Sequence, residues 1–510
     1  NGNGDFHSSV FSGYLALCSS NLEEPTIGPN SATKATNHFG TLTYSGNGNA
    51  VSIVSGGNDN NGNAVGGEID FKPDWLWTKD TNGNENHILL DSSRGNTHRL
   101  STNSSGGETT DSNVTLTSFD TNGFTLTQYH DSNVNNSTNV AWSWLANGAT
   151  PTETYKVKVV ADSTDYGHGT GSNKYQFLKS DDTTGFGTNG VDLDLQEGGT
   201  YIFDWSDSSA QGHPIRFSLT NDGTHSNGTS AGSEYTTGVV KDDSAYKTTI
   251  TVASSVANLY YYCQNHSGMG AEIRTNTTHG STNFDGSVLS VTNTNTTAGF
   301  SIVTYSGNTD ASATIGHGLL STPELIFIKQ RDESGEWIGF NKISGATKKL
   351  NLSQNLGEAT SALFNNTAPT TTAPLVFSVK DTSTEDTFGD GHTYVAYCFH
   401  SVEGYQKIGS YIGNGDADGA FVHTGFRPAW ILYKNIDASG DWELLDTVRN
   451  PVNNGSLVKL EPNNFNDDSA RVMDILSNGF KFRNSSNSNT ADTYLYWAFA
   501  EQPFKFANAR

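Results

Sequence analysis

The stretch YYYCQNHSGMG, residues 260–270, sets a thiol, an imidazole and a thioether at three-residue intervals: Cys263, His266 and Met269. A thiolate holds a soft metal through a strong covalent bond. Imidazoles complete the plane, and a thioether adds a long, weak axial contact that tunes the potential. Such a site needs a second imidazole from elsewhere in the chain. The candidate is His213 in FDWSDSSAQGHPIRFS, well upstream of the loop. TYIFDW and TTITVASSVANLYYYC read as strands on either side of the interval. Two histidines, one cysteine and one methionine are the donor set of type 1 copper. Methionine is scarce here (2 in the chain), so one at the fourth ligand position carries weight. The competing reading has no metal, with Cys263 buried as a small hydrophobe and His213 bonded to a carbonyl.

Strands must position these groups. Only 34% of the 510 residues are hydrophobic, and Asn, Ser, Thr and Gly crowd the tracts between apolar runs. Disorder is one reading of that composition. The aromatics (9 Trp, 20 Tyr, 26 Phe) oppose it, because they bury large areas. They fall in strand-length runs such as FKPDWLWTK, FRPAWILYK and TYLYWAFA, flanked by Gly, Asn, Asp or Pro. Long amphipathic helical patterns are absent. The expected fold class is all-β.

The chain also repeats itself. PDWLWTK, PELIFIK and PAWILYK share an initial Pro and a terminal Lys at Lys79, Lys329 and Lys434. Upstream of each stands a Tyr-Gly-Asn turn, at Tyr44, Tyr305 and Tyr411. Downstream, one interval separates Lys79 from Asp91, Lys329 from Asn341 and Lys434 from Asp446. Each copy closes on an aromatic run: NVAWSWLA, TYVAYCFH, TYLYWAFA. Alternating residues facing a core imply tandem β-sandwich repeats. The division expected is an irregular segment 1–37, repeat one 38–150, an inserted module 151–275, a linker 276–299, repeat two 300–402 and repeat three 403–510. The Lys and Asp positions read as a surface or edge salt bridge rather than a catalytic pair, since Asn341 breaks the carboxylate series. The first repeat's extra SGGNDNNGNAVGGE reads as an exposed loop.

The net charge of −24 disfavours nucleic acid as a partner. No apolar run is long enough to span a membrane as a helix. Three cysteines are too few for a disulfide framework; Cys398, in YVAYCF, reads as a buried thiol, and pairing with Cys18 is disfavoured. NGDADG (Asn414, Asp416, Asp418, Gly419) imitates the start of a calcium loop, but its twelfth position is Gly425, so it reads as a turn of the repeat. Sequons at Asn136 and Asn276 are expected by chance. His168 fits no nucleophile–base arrangement, and there is no P-loop or dinucleotide fingerprint. No catalytic residue is assigned, and the chain is read as non-enzymatic.

Two resemblances add to this. Residues 152–275, with GH before a strand and the YYYCxxHxxM loop, resemble a cupredoxin domain, a Greek-key β-sandwich. That resemblance implies His213, Cys263, His266 and Met269 as ligands of a type 1 copper. The tracts TNFDGSVLSV through AFAEQPFKFANAR, and LALCSSNLEEPTIGPN through HILLDSSRG, resemble structural proteins of marine bacteriophages. That family implies a virion component on the particle surface, in a tail fibre, spike or other appendage. Its expected partners are other virion proteins, further copies of itself (as a trimer) and a host surface glycan or receptor. The alternatives are a secreted blue-copper electron carrier with accessory binding domains, and a glycan-degrading spike.

Overall fold

Short alternating apolar runs become strands throughout the computed structural model, which describes residues 24–110, 115–128, 130–146, 151–225, 231–277, 280–382, 387–453 and 455–507. The fold is all-β, built from stacked sheets.

The three repeats share one strand order. The closing aromatic strands Thr138–Trp144, Thr393–Phe399 and Thr493–Pro503 lie inside their sheets. Each pairs on one side with the strand that opens its repeat: Phe39–Ser45, Phe300–Ser306 or Gln406–Ile412. On the other side it pairs with the lysine strand: Trp75–Asp80, Leu325–Gln330 or Phe426–Asn435. The lysine strand then pairs onward with Trp75 opposite Asp91, Leu325 opposite Asn341 and Trp430 opposite Asp446. The spacing seen in the sequence is therefore a repetition of register.

Side chains alternate across each sheet. One face meets a smaller sheet and encloses a private core, such as Leu42, Ile53, Leu76, Leu90 and Phe124 in repeat one. The opposite faces meet one another. Trp75, Trp77, Trp142 and Trp144 of repeat one join Phe300, Phe327, Trp337, Tyr397 and Phe399 of repeat two and Trp430, Trp442, Trp497 and Phe499 of repeat three in one core. Ring contacts cross every boundary: Trp75–Tyr397 at 4.8 Å, Trp144–Trp430 at 5.8 Å and Phe399–Trp497 at 4.3 Å between centroids. The repeats thus surround a pseudo-threefold axis instead of forming a string of separate domains.

Polar joints follow the same rotation. The Tyr397 hydroxyl donates to Asp91 Oδ2 at 2.6 Å, and Trp142 Nε1 donates to Asp446 Oδ2 at 3.2 Å. The third joint should run from Trp497 to Asn341. There Trp497 Nε1 is buried without a hydrogen-bond partner. Asn341 Oδ1 accepts from the Ile343 and Ser344 amides, as Asp91 and Asp446 accept from the Arg94 and Arg449 amides. An amide offers no second acceptor oxygen to the indole. The substitution is paired with another: Arg94 and Arg449 neutralise Asp91 and Asp446 at 2.5 and 2.6 Å, whereas Ser344 stands in the same place.

The repeated lysines correct the expected surface or edge salt bridge. Lys79, Lys329 and Lys434 are fully buried. Each ammonium donates to the carbonyl of the following residue: Asp80 at 2.5 Å, Gln330 at 2.8 Å and Asn435 at 2.5 Å. Turn carbonyls stand in for water, and burial lowers each pKa to about 8.

Residues 276–299 are not a free linker. Ser281–Asn283 and Ser290–Asn295 are strands that extend the sheet of repeat two. Between them Phe284 enters the module's core, stacking on Phe177 at 4.5 Å. The same segment thus seats the module on the body. Cys398 is a buried free thiol with its pKa raised by burial; Cys18 lies outside the described residues. Asp418 of the NGDADG turn is engaged by Lys481 at 2.9 Å and Arg483 at 3.2 Å, as suits a structural turn.

Asn341→Asp alone buries an uncompensated carboxylate and should cost roughly 3 kcal/mol. Adding Ser344→Arg should recover most of that, because the counter-ion returns and Trp497 gains an acceptor. Urea unfolding of the three proteins checks this. The lysines predict a pH effect. Their folded pKa lies below the unfolded value of about 10.4, so from pH ~8 to ~10 the unfolded chain binds more protons and stability rises. Above pH ~10 the buried tyrosines Tyr44, Tyr397 and Tyr411, whose pKa values are raised by burial, reverse the trend. Calorimetry should find the highest melting temperature between pH ~9 and ~10.

Candidate metal centre

The inserted module is two five-stranded sheets face to face. Its interior is aromatic (Tyr175, Phe177, Tyr201, Phe203, Phe217, Tyr261) and includes Cys263 and Met269. Strand Ile215–Ser218 runs antiparallel to Leu259–Cys263 with Ile215 opposite Cys263. That register brings His213, two residues before its strand, beside the loop that follows Cys263. The Gln264 amide bonds the Pro214 carbonyl at 2.9 Å, and Asn265 Nδ2 bonds the Gly212 carbonyl at 3.0 Å, continuing the pairing past the strand ends.

The candidate ligand atoms converge. Cys263 Sγ lies 3.7 Å from His213 Nδ1 and 3.6 Å from His266 Nδ1, and one ring nitrogen of each histidine and the sulfur all fall within 4.8 Å of one another. A metal bonded at about 2.0 Å to nitrogen and about 2.3 Å to sulfur, with angles of roughly 110–120°, separates N from S by about 3.5–3.7 Å. The spacing fits one ion. Among the described residues no other group of His, Cys, Asp and Glu comes this close together. Cys263 is buried, His213 is half-buried and His266 is exposed, so one imidazole edge faces solvent. Met269 is buried in the same core as Cys263.

Electrostatics leave the donors poised but protonated at sulfur. Burial raises the Cys263 pKa, against a smaller lowering by the Asn265 amide, the Tyr175 hydroxyl and the His266 amide. Burial, and then the neighbouring His266, lower the pKa of His213, which favours the neutral, metal-binding imidazole.

Sequence reasoning missed the supports. The Tyr175 hydroxyl donates to the His213 carbonyl at 2.7 Å. Asp222 accepts the Gly268 amide at 2.9 Å with both carboxylate oxygens, and Lys174 Nζ bonds the Gly268 carbonyl. His225 Nε2 meets the Cys263 carbonyl at 2.9 Å. These residues come from distant parts of the chain, and no spacing announces them. His168 lies apart from the ligands, paired with Asp192 at 2.9 Å.

The family described as a domain of unknown function, DUF7483, matches residues 34–204 and 219–503, across all three repeats and most of the module. The chain belongs to that family. Cys263, His266 and Met269 fall inside the second matched segment, and His213 falls in the interval between the two. No curated protein and no solved structure matches the chain.

The loop geometry makes a prediction. Gly268 has φ +69°, and a Cβ there would sit 2.7 Å from the Gly171 amide nitrogen. Gly268→Ala should cost about 1–3 kcal/mol and displace Met269. Thermal melts, with metal titration alongside, check both effects.

Proposed function

We propose that the chain is a structural, non-enzymatic component of a phage particle surface whose cupredoxin-like module holds one copper ion. The observation that carries the copper reading is the approach of His213 Nδ1 and His266 Nδ1 to Cys263 Sγ at single-ion spacing. One thiolate, one imidazole and a thioether on the 263–269 loop, with a second imidazole from the 213 turn, favour copper over the hard cations that prefer oxygen. When bound, copper would supply a redox-active, strongly held cross-link between the 213 turn and the 263–269 loop. His213, Cys263 and His266 would hold it, with Met269 as the further donor on the same loop. Support for the virion reading is the resemblance to phage structural proteins, together with a body whose repeated aromatic side chains, with Asp91 and Asp446, are spent on joining the repeats. The exposed edge of His266 favours a second reading, electron exchange through that imidazole.

Titration of the metal-free protein with copper(II) should produce an intense blue thiolate-to-copper band at one equivalent. Cys263→Ser should abolish it, and Met269→Leu should weaken binding while keeping the colour. Because the thiol must lose its proton, apparent affinity should rise about tenfold per pH unit below the thiol pKa. No band with the intact protein overturns the copper reading. Immunogold electron microscopy of phage particles tests the location, and absence of label on intact virions overturns it.

A further inference from the structure

We propose that the third repeat carries a binding pocket for an uncharged, hydroxyl-rich ligand of the sugar class. Its basis is a departure from the repeat pattern. In repeat two the register pair Ile328 and Ile338 is apolar, and in repeat one the pair is Thr78 and Ile88. In repeat three the same pair is Tyr433 and Glu443. Glu443 is buried and accepts from the Tyr433 hydroxyl, from Arg471 Nε at 2.7 Å and from Ser488 at 3.1 Å. Lys459, also buried, approaches Glu443 at 3.6 Å and bonds Glu461. A buried ion pair is often no more stabilising than the apolar residues that could replace it. Two sister repeats already close this position with isoleucine, so folding does not call for the ionic version.

The network opens into a cavity of about 560 Å³. That size is in the range of small-ligand sites. Asp441, Asp492, Tyr494 and Thr490 stand at its wall beside Glu443 and Arg471. Donors and acceptors alternate around it: Asn435 Nδ2 bonds Asp492 at 3.0 Å, and the Thr490 hydroxyl meets the Tyr494 hydroxyl at 2.5 Å. Sugar hydroxyls both donate and accept, which suits carboxylates, a guanidinium and hydroxyls in one wall. The Tyr433 and Tyr494 rings pack into the core of the repeat, so these residues line the pocket as hydroxyl-bearing side chains. The four carboxylates Asp441, Glu443, Glu461 and Asp492 outnumber Lys459 and Arg471, which disfavours acidic sugars and phosphates. These carboxylates form no cluster tight enough for a metal ion. The site stands on its own, in the third repeat and apart from the inserted module that carries His213, Cys263 and His266.

Saturation-transfer NMR on the full chain with maltose, lactose, cellobiose and chitobiose tests the pocket. Transfer to at least one disaccharide is expected. Asp441→Asn with Asp492→Asn should weaken it about tenfold or more, since each removes a charge-assisted acceptor, with the melting temperature held. Tyr433→Ile, Glu443→Ile and Arg471→Leu together should abolish binding while copper uptake persists. If that triple variant does not fold, the rim pair still decides. The proposal is overturned if no disaccharide shows transfer, if an acidic sugar such as sialyllactose binds more tightly, or if the rim variant binds as the intact protein does.

Discussion

The organisation of the molecule depends on one packing requirement: each repeat's main sheet is apolar on both faces. Its small companion sheet covers only one of them. The other carries indole and phenyl groups that water would solvate at great cost. Three such faces turned inward remove one another from solvent. Every tryptophan except Trp205 lies in that common core. A single repeat could not stand alone on this design, because a third of the shared core would be exposed. The three sequence copies are therefore one folding body, and the inserted module is tied to it by a strand and by Phe284 rather than by a tether.

A core shared by three near-identical faces needs something directional to fix rotation, since aromatic contact alone tolerates sliding. The buried Asp91–Arg94 and Asp446–Arg449 pairs supply it, each offering a carboxylate oxygen to the neighbouring repeat. Such pairs gain little net free energy over apolar packing; their contribution here is register. The third joint shows what their loss entails. Once arginine is absent at Ser344, a carboxylate at Asn341 would be buried without a counter-ion. The amide that stands there keeps the turn but leaves Trp497 without an acceptor.

Much of this was legible in the sequence, for a definable reason. Lys79, Lys329 and Lys434, with Asp91, Asn341 and Asp446, mark one register three times, so their spacing survives as a pattern. The candidate ligands Cys263 and His266 are three residues apart, and local spacing is what a sequence displays best. His213 is legible as a candidate because it stands just before a strand, far enough upstream of Cys263 for strands to intervene. What spacing does not encode is which face a position takes once sheets pack against sheets. The lysines therefore looked like surface residues, although their strands are covered on both sides. Tyr175, Asp222 and Lys174 support the ligand loop from remote strands, through bonds that depend on tertiary placement alone.

Internal repetition also supplies a control that a single domain lacks. Where three copies solve the same local packing problem, the shared solution reports what the fold requires, and a deviation reports something else. Ile88 and Ile338 show that the position opposite the lysine strand is satisfied by an aliphatic side chain. Glu443, with Arg471 and Tyr433 gathered around it, is a different arrangement of buried charge at an equivalent backbone site. Asn341 deviates too, but its deviation is explained by Ser344 within the same turn and opens no cavity. The two cases separate by what accompanies the change. A deviation balanced by a neighbouring substitution preserves structure. One that adds charges, aromatic hydroxyls and an open volume together has the composition of a recognition surface. By that criterion the chain's chemistry is concentrated away from its symmetric core, in the module that interrupts the first two copies and in the copy that departs from them.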